Sequence, residues 1–188
     1  MLNNIYLYNT LTKTKEELVP RNDKKVQMFV CGPTVYDFSH IGHARTYIIY
    51  DVIARYLRWL GYEVFYLQNI TDIEDKIIDR AKKSGKDPME ISKEFTQHHY
   101  DDMKALNINS VSQYAPATKF IPEIVSQVQR LLATGHAYLI ENDGYYFDLT
   151  KFSGYGKLSG RTTEQAEDAT TRIDESVNKR NRGDFALW

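Results

Sequence analysis

The chain has 188 residues, 42% hydrophobic and 26% charged, enough for one generous domain or one domain with a small insertion. Its 24 basic and 25 acidic residues leave a net charge of −1, so bulk charge gives no hint of nucleic acid and any RNA contact has to be local. A single cysteine excludes an intramolecular disulfide framework and fits a reducing, cytoplasmic compartment.

The N-terminus "MLNNIYLYNT" lacks the basic start and apolar run of a signal peptide. "IYLYN" and "KVQMFVC" read as short strands, the second stopped by Gly32-Pro33. From His43 the pattern turns helical, with Ile48, Val52, Arg55, Tyr56 and Trp59 or Leu60 three to four apart and Gly61 as the stop. Asp51, Arg55, Arg58 and Glu63 interrupt this apolar region, so no membrane span is expected. "YEVFYLQNI" follows as a strand rich in β-branched and aromatic residues. Strand, helix and strand make a βαβ unit, which places the loop 32–42 at the carboxyl end of a parallel sheet, where open α/β sheets bind ligands.

After "NITDIEDK" the chain reads as mostly helical: Glu74 to Lys83, closed by Ser84-Gly85, then a helix capped by Asp87-Pro88 and running to about Leu106. "YAPATKFIPEIVSQVQRLLATGHAY" holds a proline-marked entry and an amphipathic helix ending at Gly135. "AYLIENDGYYFDL" is a hairpin signal around Asn142-Asp143-Gly144. From Lys157 to Asp184 the composition is polar, until "DFALW" restores apolar character.

The chemistry concentrates in "FVCGPTVYDFSHIGHAR". His40 and His43 flank Gly42 at a helix entry, and their spacing puts both imidazoles on one side of the first turn, with the free backbone N–H groups. That donor array suits a phosphate, and Gly42 lets a flat ring or a phosphate approach the backbone. Helix capping by Ser39 or His40 is the competing reading. Cys31 closes the strand at the same sheet edge; it reads first as a small buried hydrophobe, and as a metal ligand it would need three partners that no Cys-x-x-Cys or His-x-x-x-His spacing supplies.

"CGPTVYD", "HIGHAR", "GYEVFYLQNITDIEDKII", "YGKLSGR" and "KRNRGDFALW" follow one another in an order and spacing that resemble the cysteinyl-tRNA synthetase family, over essentially the whole chain. The resemblance implies an α/β fold: the first half of a Rossmann-like class I synthetase catalytic domain, a parallel sheet with helices, plus an α+β connective insertion. Residues 1–115 would be that first half, 116–184 the connective insertion, and 185–188 the start of the return into the catalytic domain. It implies ATP, used with Mg2+, cysteine and tRNA(Cys) as substrates and partners, a family that is often monomeric, and no membrane.

By the same resemblance, Pro33, Thr34, His40, Ile41, Gly42 and His43 form the ATP-binding region, with His40 and His43 near the phosphates and Gly42 under the adenine. Cys31, Gly32 and Thr71 would contact the amino acid, and Cys31 would be the first ligand of a zinc ion that binds the substrate thiolate. Coordination to zinc separates a thiol from a hydroxyl analogue better than pocket volume does. The chain is less than half the length of a family member, so the other zinc ligands are expected beyond Trp188, and the chain alone is expected not to aminoacylate tRNA. Two other readings stay open: a cysteine:amino-sugar ligase of the mycothiol type, sharing the adenylate chemistry, and a non-catalytic nucleotide- or RNA-binding paralogue.

Several residues read as structural. Asp72, Glu74 and Asp75 favour a helix N-terminus, and His98-His99 read as a solvated surface pair. "NKRNR" (178–182) reads as a solvated charge run that could touch RNA. Tyr47, Tyr50 and Tyr56 suit core packing, and Trp188, as the last residue, reads as a frayed end.

Overall fold

The computed structural model describes residues 4–160 and 176–188. Part of the polar stretch 157–184, residues 161–175, therefore lies outside the described residues. The elements run β1 (Tyr6–Asn9), β2 (Thr14–Glu17), β3 (Lys25–Val30), α1 (Ile41–Trp59), β4 (Glu63–Ile70), α2 (Asp75–Ser84), α3 (Pro88–Ala105), β5 (Gln113–Pro116), α4 (Ile121–Ala133), β6 (Ala137–Ile140), β7 (Gly144–Phe147) and β8 (Phe185–Ala186). They fall into two compact units, one of residues Val19–Ile121, the other joining the N-terminal hairpin to Pro122–Trp188.

The first unit is built on a parallel sheet in the order β3-β4-β5. β3 pairs with β4 from Lys25↔Glu63 to Val30↔Gln68, and α1 connects them, as the βαβ reading expects. Gly32-Pro33 does not end the pairing: a parallel bridge, Thr34↔Thr71, resumes it, with Val35 N–H donating to the Thr71 carbonyl (3.1 Å) and Thr71 N–H to the Pro33 carbonyl (3.0 Å). The proline has no N–H to give, but its carbonyl still accepts.

On β4, Val64, Tyr66, Gln68 and Ile70 alternate inward. Ile70, Val35, Ile77, Ala81, Ile91 and Phe95 form a core between the sheet and α2–α3. α2 starts at its N-cap Glu74, whose carboxylate accepts from Lys76 N–H, and ends on Gly85 at φ 67°, the left-handed cap that glycine takes at little cost. Asp87 caps α3, with Pro88 in its first turn.

The helical period of α1 is as expected, but the buried face differs. Tyr47, Asp51, Ala54 and Leu57 are buried, while Ile48, Val52, Tyr56 and Trp59 are exposed and Tyr56 stacks on Trp59. Asp51 goes inward because it accepts from the backbone N–H groups of Asn109 (3.0 Å) and Ser110 (2.8 Å). These donors precede β5, a third parallel strand that the sequence did not announce. No described helix is long and apolar enough to cross a membrane.

In the second unit β1 and β2 form an antiparallel hairpin turned by Lys13 at φ 59°. β2, "TKEE", is too polar to read as a strand. The expected hairpin is β6–β7, and β8 adds antiparallel to β7. Trp188 is not frayed: its carbonyl accepts from Tyr145 N–H at 2.8 Å. Buried Asp184 accepts from the Tyr138 hydroxyl (2.7 Å), Leu149 N–H (3.0 Å) and Asn181 N–H (3.0 Å). The run 178–182 is thus tied down inside this unit: Arg180 lies over the Tyr138 ring and Asn181 hydrogen bonds Asp184.

Candidate functional site

The carboxyl ends of β3 and β4 and the N-terminus of α1 carry the residues expected to contact ATP, the amino acid and zinc. Cys31 follows the last residue of β3, is exposed and makes no disulfide. That exposure removes the buried-hydrophobe reading. Its Sγ lies 3.7 Å from the Gly32 carbonyl.

Gly32 sits where two backbones nearly touch. A methyl group there would lie 1.7 Å from the Asn69 carbonyl oxygen, so no side chain fits. Gly32 N–H donates to Asn69 Oδ1 (2.8 Å), and Asn69 Nδ2 reaches Thr71 Oγ1 (3.3 Å). Asn69 thus joins the two positions expected to contact the amino acid, and it was missed; its place in "QNITD" beside Thr71 was the available signal. Pro33 is buried and Thr34 half-buried.

His40 and His43 form a reciprocal cap. His40 Nδ1 accepts from Gly42 N–H (3.0 Å), and His43 Nδ1 accepts from His40 N–H (3.2 Å). The rings lie 4.0 Å apart, centroid to centroid. An imidazole nitrogen that accepts carries no proton, so both rings are held as the Nε2–H tautomer. Each therefore keeps one donor, Nε2–H, that no described residue engages. Capping uses Nδ1 and leaves Nε2–H for a ligand, so the two sequence readings are compatible.

Burial, then the neighbouring His40, lowers the pKa of His43. Both effects keep the ring neutral, as the cap requires. Gly42 is exposed, and a methyl group there would crowd the His40 ring at 2.7 Å. Ile41 is 86% exposed beside them.

Behind the cap, His43 stacks on Tyr47 (6.3 Å) and Tyr47 meets His99 edge to face (5.5 Å). His99 is buried, and burial lowers its pKa to about 4. His98 lies against Phe38 and Phe95. The solvated His98-His99 pair is thus corrected: α3 packs on the sheet and on the loop before α1, and both rings go with it. Asp72 is also not a helix-end charge; its carboxylate accepts from Thr118 N–H (3.0 Å) and the Thr118 hydroxyl (2.5 Å), fixing the loop after β4 to the segment after β5.

Among the described residues no three His, Cys, Asp or Glu side chains converge on a point that could hold a metal. A zinc site takes three or four such donors, so Cys31 fits as one ligand and the described set does not fit a complete site.

The family of tRNA synthetases class I (C) catalytic domains matches residues 17–188. A cysteine–tRNA ligase from Thermoplasma volcanium is 50% identical over 182 residues, 97% of this chain and 40% of its own length. Those of Thermococcus onnurineus and Caldicellulosiruptor saccharolyticus are 48% and 47% identical over 98% and 97% of this chain, 38% and 39% of theirs. The chain thus spans about 40% of the length of the curated relatives it matches.

Among solved structures, the Mycobacterium tuberculosis methionyl-tRNA synthetase in complex with methionyl-adenylate aligns with a TM-score of 0.56 at 24% identity, covering 66% of this chain and 25% of that one. The LeuRS–tRNA–LeuAMS ternary complex from Agrobacterium radiobacter K84 gives 0.55 at 22%, covering 71% and 18%. Both likenesses show the fold, a class I synthetase α/β domain with a parallel sheet. With residues 17–188 matched and nearly half of the positions shared with its relatives, the chain belongs to the family of class I (C) tRNA synthetase catalytic domains.

Proposed function

We propose that this chain carries the ATP- and cysteine-contacting part of a cysteine–tRNA ligase, which activates cysteine to cysteinyl-adenylate and transfers it to tRNA(Cys) in the cytoplasm. The observation that carries the reading is the reciprocal histidine cap, which leaves two neutral Nε2–H donors at the first turn of α1, beside the Cys31-Gly32 turn.

In this reading His40 and His43 donate to phosphate oxygens of ATP, supplied with Mg2+. Pro33, Thr34, Ile41 and Gly42 shape the nucleotide surface, and exposed Gly42 admits the adenine. The amino-acid carboxylate attacks the α-phosphorus, the bond to the bridging oxygen breaks and pyrophosphate leaves. Charge on the equatorial oxygens grows in that step, and donors already fixed by the cap need no reorganisation to meet it. Neutral imidazoles act as hydrogen-bond donors here, without proton transfer.

Cys31, Gly32 and Thr71 border the amino acid, with Asn69 holding the last two. Cys31 would be one ligand of a zinc ion that, when bound, would select a thiolate over a hydroxyl. The described residues do not complete that site.

The test is cysteine-dependent ATP–pyrophosphate exchange by the product of the complete gene, with serine as control. Exchange with cysteine alone is expected; none with cysteine, or equal exchange with serine, refutes the reading.

A further inference from the structure

Three buried side chains in the first unit carry polar atoms with no partner among the described residues: the Tyr66 hydroxyl, both ends of the Gln68 amide and both ring nitrogens of His99. All three residues are at most 2% exposed. Orphaned buried groups are rare in native proteins, because each costs its full desolvation. All three residues neighbour Tyr114, and His99 and Tyr66 also neighbour Tyr47. His99 meets Tyr47 at 5.5 Å and Tyr114 at 6.1 Å. Gln68 is the strand partner of Tyr114, and Tyr66 faces inward two residues before Gln68. Tyr114 and Tyr47 also lie close enough to Tyr66 to help burial raise its pKa.

We infer that Tyr66, Gln68 and His99 enclose an internal water site between α1, β4 and α3. The donor and acceptor inventory suits water. The amide offers two donors and an accepting oxygen, the neutral imidazole one of each, and the phenol can serve as either. A buried water makes about three hydrogen bonds to such groups. An anion would lack a cation, since His99 is held neutral by its surroundings, and a metal would lack carboxylates. A cleft of about 390 Å³ lies next to these groups: it is lined by Tyr100, Met103, Ile108 and Tyr114, and both tyrosines are in ring contact with His99.

The site has a consequence for the histidine cap. Tyr47 lies between His99 and His43, so water bonded to His99 fixes the surface on which the His43 ring stacks. The inference is independent of the substrate assigned above.

Two measurements on the 188-residue chain test it. Water-to-protein magnetisation transfer in NMR is expected at the Gln68 side-chain amide and the His99 ring protons. The variants Tyr66→Phe and Gln68→Met supply the sign. If water pairs these groups, each variant removes a hydrogen bond, and the melting temperature falls by roughly 2–4 °C for each partner lost. If the atoms are orphaned, deleting them relieves a desolvation penalty and the melting temperature rises. Tyr66→Phe deletes one oxygen and keeps the ring, so it reports even where Gln68→Met fails to fold. Transfer from water together with a falling melting temperature establishes the site. A rise or no change in Tyr66→Phe, or direct pairing of Gln68 with His99 or Tyr66 and no transfer from water, overturns it.

Discussion

Replacing Gly32 with alanine tests whether the turn between β3 and α1 is held as tightly as its geometry demands. The new methyl carbon would lie 1.7 Å from the Asn69 carbonyl oxygen, where real contacts stay beyond 3.0 Å, so one backbone has to retreat by at least about 1.3 Å. Neither backbone is free to do so. Val30↔Gln68 pins the strands before the turn, and the two hydrogen bonds of Thr71 with Pro33 and Val35 pin them after it. Gln68 Cγ, 3.1 Å from the same methyl, blocks escape inward. Overpacking costs about 1–3 kcal/mol. Loss of the Gly32–Asn69 bond and of one flanking bond adds about 1 kcal/mol each, for an expected loss of about 3–5 kcal/mol. Urea unfolding followed by far-UV circular dichroism measures it. Gly61→Ala is the control: its φ of 86° disfavours a side chain but nothing lies within 4 Å, so it should lose only about 1 kcal/mol. A Gly32→Ala loss no larger than that of the control would refute the reasoning.

Three further outcomes are expected. His40→Ala removes the acceptor for Gly42 N–H and one Nε2–H donor, so it costs about 1 kcal/mol of stability and weakens ATP binding measured by calorimetry; unchanged affinity would confine His40 to capping. Burial works to raise the pKa of Asp51, but hydrogen bonds from Ser110 and then Arg55 outweigh it and leave the pKa lowered. Its stabilisation is therefore complete above the unfolded value of about 4 and is lost as pH falls through the folded one. Asp51→Ala should cost about 3 kcal/mol at neutral pH, with a flatter dependence of the urea midpoint on pH in acid. His99 has a folded pKa of about 4 against about 6.5 unfolded, so the chain should lose stability as pH drops from 6.5 to 4, and His99→Met should remove that slope.

The legible parts of this chain are those whose signal is local. Gly85 at a left-handed cap, Asp87-Pro88 at a helix start and Asn142-Asp143-Gly144 between aromatic strands each specify a backbone conformation from adjacent residues, and each element stands where it was expected. The βαβ unit could be read because β3, α1 and β4 are contiguous and α1 leaves little choice of crossover. What stayed hidden depends on partners far away in sequence. Asp51 and Ser110 are 59 residues apart, and Tyr138 and Asp184 are 46 apart. A polar residue inside a helix or a polar run reads as solvated until its partner is known. That is also why α1 could be assigned a helix but the wrong buried face: it carries large apolar residues nearly all round, and Asp51, the least apolar choice, decides the inward side by finding two backbone N–H donors.

The same distinction explains what was visible at the site. "HIGH" carries both a cap and a pair of donors in four residues, and capping and phosphate binding looked like rivals because a sequence does not show which ring nitrogen is in use. The structure assigns Nδ1 of both rings to the backbone. That assignment ties the cap to the neutral rings of the proposed chemistry: a protonated Nδ1 could not accept from Gly42 or His40, so the state that holds the helix start together is the one with a single proton on each ring, at Nε2. Acid should therefore loosen the first turn of α1 and weaken nucleotide binding together, at a pH below the ordinary histidine range because burial and His40 hold the pKa of His43 down. Amide exchange at His40, whose N–H donates to His43 Nδ1, and ATP affinity followed across the same pH series should then change in step. Loss of affinity with the His40 amide still protected would separate the two roles and refute the coupling.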